Sequence, residues 1–242
     1  MKKISLLLLI LTSLNLYAES DTFVQLEGSL LYQTRNVQRI PGNGGTQFDL
    51  SDFDNGPFDV IRLYLGKVFN NRHELRLMYA PLEINIKATL PGTVQFYGQT
   101  FNAGPADAFY KFSSYRLTYA YHFEPKNDWL LALGGTAKIR EAEVKLGQNG
   151  VVSSKKNTGF VPLLNFQALR PLGSDWNFRF DFDGLAAPQG RAFDVSIFAE
   201  YKYLKHFSIL AGYRTVEGGA DNDKVYNFAW LHYASVGLRG DF

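Results

Sequence analysis

Apolar and polar residues alternate along most of this chain, in runs separated by polar connections that are very short and much longer in turn. Trp176, Phe178, Phe180 and Phe182 alternate with Asn177, Arg179, Asp181 and Asp183. The following run sets Phe193, Val195, Ile197, Ala199, Tyr201 and Tyr203 against Asp194, Ser196, Glu200 and Lys202. Earlier runs oppose Tyr115, Leu117, Tyr119, Tyr121 and Phe123 to Arg116, Thr118 and His122, and Trp129, Leu131, Leu133 and Ile139 to Thr136, Lys138 and Arg140. A period of two puts successive side chains on opposite faces of an extended strand. The pattern predicts ten strands, over 22–38, 58–69, 73–89, 108–123, 129–145, 159–170, 176–186, 192–204, 206–217 and 226–242. Short connections fall at 70–72, 124–128, 172–175 and 204–205, and longer ones at 39–57, 90–107, 146–158, 187–191 and 218–225. Eight strands is the alternative, because the connection at 187–191 is short for the longer set.

Composition narrows the class. Aromatic residues make up 15% of the chain, yet beyond residue 18 no apolar run has the length of a membrane-crossing helix. Without such a helix, a chain can span a bilayer only as a closed barrel, where every backbone group is paired in the absence of water. A soluble β-sandwich is the competing class. Lys2 and Lys3 precede an apolar run at 6–10, continued through Leu11, Leu14 and Leu16, and Tyr17-Ala18 offers a small residue before Glu19. This is the layout of a secretory signal, with cleavage expected after Ala18. The expected organisation is therefore a signal peptide at 1–18 and a single barrel domain at 19–242. Removing the signal takes two of the 25 basic residues and none of the 23 acidic ones, so the mature chain is neutral before histidine is counted. Neutrality speaks against nucleic-acid binding. The absence of cysteine excludes disulfides, thiolate chemistry and a lipid-modified cysteine.

The last run, residues 230–242, puts Trp230, Ala234, Val236, Leu238 and Phe242 on one face and Tyr233, Ser235, Gly237 and Arg239 on the other, and it ends on the aromatic residue. It resembles the closing strand of bacterial outer-membrane β-barrels, matching that pattern at Ser235, Gly237 and Phe242, with Gly240 where a hydrophobic residue is usual. The resemblance implies an antiparallel up-and-down transmembrane β-barrel in the outer membrane, and an insertion signal, at those three residues, read by the barrel-insertion machinery. Short turns and both termini are then periplasmic, and the partners are outer-membrane lipid and lipopolysaccharide, with a monomer as the default. Phe69, Tyr121, Phe123, Trp129, Trp176, Tyr201, Tyr203, Phe207 and Phe242 gather near the short turns as an interfacial aromatic girdle.

A lipid-facing apolar set leaves the polar set to line the interior. That lining comprises Glu27, Arg35, Arg62, Glu74, Arg76, Glu83, Lys87, Arg116, Lys138, Arg140, Arg179, Asp181, Asp183, Asp194, Glu200, Lys202, Arg214 and Arg239. Both signs are mixed, and charges in a narrow space must be paired or hydrated. A lumen about eight to ten strands around has room for little more than its own side chains. The expected function is thus a small non-enzymatic, porin-like outer-membrane barrel, either structural or a narrow passive pathway for small solutes.

Two other classes stay open. An enzyme acting on lipid A or peptides needs a general base near the outer rim. His73, His122 and His206 fall at periplasmic turns, and only His232 lies toward the outer end, so no catalytic residue is assigned. Surface adhesion through the first two loops is the second alternative. Residues 93–101 in the second loop are aromatic and alternating, predicting an extension of the hairpin whose apolar face packs on another loop or rims a ligand. Pro81 marks a bulge or a lateral gap in the third strand. The clusters Asp49, Asp52 and Asp54, and Asp221 with Asp223, read as solvated turn residues without the pattern of a calcium loop, and Lys155-Lys156 as solvated or facing phosphate. No metal and no cofactor are expected.

Overall fold

The structure, a computed structural model, describes residues 20–242; the expected signal peptide lies outside the described residues. The strands are β1 (Ser20–Arg39), β2 (Phe48–Asp49), β3 (Phe58–Phe69), β4 (His73–Ala80), β5 (Glu83–Leu90), β6 (Val94–Phe96), β7 (Gln99–Phe101), β8 (Gly104–His122), β9 (Leu130–Gln148), β10 (Val151–Pro171), β11 (Trp176–Ala187), β12 (Gly190–Leu204), β13 (Phe207–Asn222) and β14 (Val225–Asp241). Each barrel strand pairs antiparallel with its neighbours in chain order, and β14 returns to β1. β4 and β5 form one stave interrupted at Pro81-Leu82, so the sheet closes as a ten-strand barrel. Closure extends to the last residue: Thr22 N donates to Phe242 O at 2.9 Å, and Phe242 N donates to Thr22 O at 2.8 Å.

The end carrying the described termini is the lower end. Asn70 and Asn71 in the three-residue turn 70–72 there adopt φ of 49° and 56°, and Arg72 N donates back to Phe69 O at 3.0 Å. At the upper end Asn149 and Gly150 adopt φ of 51° and 80°, the left-handed pair that a two-residue hairpin turn requires. The connections expected at 146–158, 187–191 and 218–225 are therefore not long loops; β13 runs to Asn222 and β14 starts at Val225. β9 runs to Gln148 and β10 starts at Val151, and β11 and β12 meet at the equally tight 188–189. Polarity had marked these stretches as loops. They are strands that rise past the apolar belt, stapled on their outer surface by Glu143 with Lys145, Lys156 and the Ser154 hydroxyl.

Outward positions carry Leu26, Leu30, Ile61, Leu63, Leu65, Leu75, Leu77, Leu117, Leu133, Ile139, Leu164, Ile197, Ile209, Val236 and Leu238, all exposed. So continuous an apolar surface suits hydrocarbon and not water. Aromatic rings edge it below, where Tyr121 meets Phe123, Trp176 meets Tyr201 and Phe207 meets Phe242. Toward the other end, outward Tyr79 stacks on Tyr115 with centroids 5.0 Å apart.

The upper interior is apolar over part of its width. Ile84, Ile86, Ala88 and Leu90 of β5 point inward and meet Ile40, Phe48 and Leu50 of the first loop and Val94, Phe96 and Phe101 of the second. Residues 93–101 thus do not extend the barrel hairpin. They form a separate two-stranded sheet, β6–β7, folded onto the first loop. Phe48 meets Phe96 edge-on at 5.9 Å, Tyr97 N donates to Ile40 O, and Thr46 N donates to Gln95 O. The two loops make one cap.

Candidate functional site

Asp194 on β12 is the centre of the interior. Its Oδ2 accepts from Arg62 Nη1 of β3 at 2.9 Å and from Arg116 Nη2 of β8 at 2.7 Å, and its Oδ1 accepts from Arg214 Nη1 of β13 at 2.7 Å. Arg116 also reaches Asp183 Oδ2 at 2.7 Å, and Arg214 reaches Tyr64 Oη at 2.9 Å and both oxygens of Glu27 at 3.3 Å. Thr136 and Asn165 donate to the other oxygen of Asp183. Alternation is what delivers these groups to one point, since each lies on the inward parity of its strand. All are nearly dry; the Asp194 side chain is 3% exposed. Charges so placed are tolerable only because each carboxylate oxygen meets a guanidinium or another donor.

A second tier lies below. Arg76 bridges Asp181 at 2.5 Å and Glu74 at 3.5 Å, while His122 Nε2 lies 3.0 Å from Glu74 Oε2. Arg179 and Asn177 both donate to Glu200 Oε2. Arg239 pairs with Asp241 at 2.8 Å and covers the Phe23 ring at 3.8 Å. The structure thus gathers Glu27, Arg62, Arg76, Arg116, Arg179, Asp181, Asp183, Asp194, Glu200, Arg214 and Arg239 into paired tiers. Lys138 lies in the interior with them, buried but without an acidic partner among the described residues.

Four expected lining residues stand elsewhere. Glu83 and Lys87 face outward, because the pairing of β4 and β5 with β8 keeps one register across Pro81: Ala80 opposes Ser114 and Glu83 opposes Lys111. With no frame shift, Arg76 and Glu83 have opposite parity. Glu83 instead joins Lys111 and Glu141 in an outer ion-pair row, and Lys87 pairs with Asp107. Arg35 is turned outward by a bulge between Gln33 and Arg35, which inserts Thr34 and reverses the faces beyond it. Past that bulge Asn36 and Gln38 point inward and, with Gln33, form a buried amide ladder at 2.9 and 2.7 Å. Lys202 is exposed at the lower rim, where a register shift between Lys202 and Leu204 ends the ladder.

Two cavities flank the Asp194 node. The lower has about 170 Å³, bounded by Glu27, Tyr64, Arg76 and Arg239; the upper has about 380 Å³, bounded by Arg116, Lys138, Arg140 and Asp194. They share no lining residue. The lining of the upper cavity reaches the wall between β10 and β11, at Pro162 and Leu185, as well as the upper rim, at Gln189, Gly190 and Asn222. Pairing between β10 and β11 ends at Leu164 opposite Gly184. The next inter-strand position on β10 with the same orientation is Pro162, which has no N–H to give. Pairing between β3 and β4 likewise ends at Leu63 opposite Tyr79, with Pro81 beyond. Inside that seam, however, Val60, Leu82, Phe112 and Tyr233 leave only about 20 Å³. Of the two proline-marked seams, the one at Pro162 leads into a sizeable cavity.

His232 faces outward. Its Nδ1 meets Tyr213 Oη at 2.5 Å and its Nε2 meets Thr34 Oγ1 at 2.8 Å, so it has two hydroxyl partners and, among the described residues, no acidic one. Ser235, near it in sequence, points inward to Ser29 at 2.7 Å. Loop carboxylates serve turns: Asp49 accepts from Asn36 N and Ser51 N, and Asp54 from Gly56 N. Asn222 Oδ1 accepts from Lys224 N and Val225 N. Among the described residues no group of three His, Asp or Glu side chains is placed to hold a metal ion. Lys155 lies over the Tyr97 ring and Lys156 over Glu143.

No family model matches the chain, and no curated protein does. Solved structures do. The outer-membrane protease OmpT of Escherichia coli aligns with TM-score 0.55 over 92% of this chain and 97% of its own, at 10% identity. Ail, the attachment invasion locus protein of Yersinia pestis, aligns at 0.45 over 93% of this chain and 99% of its own, at 13% identity. Neisserial surface protein A aligns at 0.40 over 91% and 97%, at 15% identity. Identities this low speak to architecture alone. The closed antiparallel sheet, its outward apolar belt and the match to OmpT give this chain the fold of the bacterial outer-membrane β-barrels.

Proposed function

We propose that this protein is a small integral outer-membrane barrel that works without an open pore, with the loop-capped end toward the exterior and both termini in the periplasm. The orientation follows the two long connections, 40–57 and 91–103, which both lie at the upper end; the other three upper connections are tight turns. Lipid and lipopolysaccharide are its surroundings, the barrel-insertion machinery its route in, and the monomer its working form. The observation that carries the sealed reading is the Asp194 node, which stands between two cavities with no lining residue in common. An ion crossing at that level must break charge-assisted contacts in a dry setting.

Planar-bilayer recording on the refolded full chain tests this. The expected trace is silent under applied voltage. Steady discrete openings would overturn the sealed reading in favour of a narrow passive pathway, and their reversal potential under a salt gradient would report the charge of the route. An outer-face catalytic reading has one observation behind it, the two hydroxyl contacts of His232. It requires that hydrolysis of lipid A or of a peptide by the purified barrel vanish in His232→Phe.

A further inference from the structure

Most charged groups of the interior are matched, and the exceptions sit together. Lys138 makes no ion pair or hydrogen bond among the described residues although it is 3% exposed. Arg140, one inward position higher on β9, donates only to Asn157 Oδ1, at 2.6 Å, and its Nε is buried without a partner. Both cations lie against the Phe112 ring, at 4.8 and 6.0 Å. Both line the upper cavity, where Gln38 Oε1 is likewise buried and unpartnered. A cation held out of water with no counter-charge is costly. The cost falls if the cavity receives an anion.

The shape says what kind of anion. The floor is closed by Arg116 and Asp194, and the cavity rises to the upper rim at Gln189, Gly190 and Asn222 and reaches the β10–β11 seam, whose lips are Phe160, Pro162 and Leu185 with Phe193 of β12 beside them. Phe160 is 68% exposed on the outer surface, opposite Ile139 of the apolar belt. Two residues further up the same hairpin the outward groups become polar, as Thr158 opposes Glu141. The seam therefore opens at the upper edge of the apolar belt, where hydrocarbon meets the polar boundary. A cationic inner end and an apolar lateral mouth match an amphiphile lying in that boundary. The volume is within the range of about 300–1,000 Å³ usual for small-molecule sites.

We propose that the upper cavity binds a single-chain amphiphile with an anionic head group, of which a long-chain carboxylate is the simplest. The head lies against Lys138 and Arg140, and the chain leaves between β10 and β11 past Pro162 and Phe160. This goes beyond the sealed-barrel reading and does not depend on it, since the site lies above the Asp194 node.

The test is titration calorimetry of the refolded full chain in non-ionic micelles, against empty micelles, with dodecanoate, dodecanol and acetate. Dodecanoate is expected to saturate one site, and the other two are not. The pair Lys138→Met with Arg140→Gln should weaken dodecanoate roughly ten- to hundredfold, the loss expected when charge-assisted contacts are removed. A second arm leaves both cations in place. The chain has no cysteine, so Pro162→Cys with Ala186→Cys places one removable cross-link across the seam. Oxidation should abolish dodecanoate binding and reduction should restore it, with circular dichroism confirming the barrel in both states. Equal binding of acetate would overturn the proposal in favour of a compact-anion site, and equal binding of dodecanol in favour of an apolar one. Binding unmoved by both the charge variants and the cross-link also overturns it.

Discussion

Arg62 and Asp194 sit on strands that do not adjoin, β3 and β12, yet their side chains meet at 2.9 Å inside the barrel. Arg116 of β8 and Arg214 of β13 close on the same carboxylate from other directions. A single acidic side chain therefore joins three walls of the lumen, with Asp183 and Glu27 holding Arg116 and Arg214 from the far side.

Asp194→Asn keeps the shape of that side chain and removes its charge. Arg62 would then lose its acidic partner, while Arg116 keeps Asp183 and Arg214 keeps Glu27. Removing one partner of a buried pair costs about 3–5 kcal/mol, because the remaining charge is uncompensated. Urea unfolding of the barrel in a bilayer should show a loss of that order in Asp194→Asn. A loss below about 1 kcal/mol, the ceiling for solvated pairs, would mean that water already screens Arg62.

Gly66 on β3 faces inward beneath the Phe23 ring, so that a Cβ there would lie 2.2 Å from Phe23 Cζ. Phe23 cannot swing aside freely: it is buried and roofed by the Arg239 guanidinium. Gly66→Ala should therefore destabilise by about 1–3 kcal/mol, the usual penalty of overpacking. Gly28→Ala is the control, since nothing lies within 4 Å of its added methyl group. Equal unfolding midpoints for the two variants would show that Phe23 can move.

The alternation of β11 and β12 makes both of their faces readable in the sequence, and the pair Arg179–Glu200 follows from those faces, as Arg116–Asp183 does from the matching alternation of β8. What the pattern hides is parity across an irregularity. Thr34 is an ordinary residue in an alternating run, and only the ladder to β14 reveals that it is extra and that Arg35 is turned out. Pro81 carries the opposite lesson: it ends pairing with β3 but does not shift the frame with β8, so Glu83 keeps an outward parity. The cavity was legible only in fragments. Lys138 and Arg140 were visible as interior cations, but their lack of partners depends on which carboxylates the fold brings near. Pro162 sits close to the start of a run expected at 159–170, where a proline carries little weight. Once β10 is seen to begin at Val151, it stands inside a strand.

Glu143 gives the upper hairpin a pH response. Burial works against its charge, but the Ser154 hydroxyl and the ammonium groups of Lys156 and Lys145 outweigh that and hold its carboxyl below the ordinary value. A group with a depressed folded value contributes stability above its unfolded value, about 4.3 for Glu, and loses it as pH falls through the folded one. Amide exchange in residues 142–157, corrected for intrinsic rates, should thus show constant protection from neutrality to about pH 5 and loosening only in more acid solution. Glu143→Gln should remove that acid-dependent part. A hairpin that loosens between pH 7 and 5 would point to a different titrating group.

Phe242 combines two roles that a single variant can separate. Its backbone exchanges two hydrogen bonds with Thr22, which complete the closing seam, and its ring packs edge-on against Phe207 at 6.0 Å. Phe242→Ala leaves the backbone bonds in place and removes only the ring contact. Because the ring is 54% exposed, it contributes little to packing, and the refolded barrel should lose no more than about 1.5 kcal/mol, the upper value for an aromatic pair beyond its buried area. If the ring is also the feature read during insertion, the same variant should assemble much more slowly in vesicles carrying the purified insertion machinery than in empty vesicles of the same lipid. Equal slowing in both would mean that Phe242 acts through the closing seam itself. No slowing in either would remove it from the insertion signal, leaving Ser235 and Gly237, which face Ser29 and Glu27 across the same seam, as its remaining members.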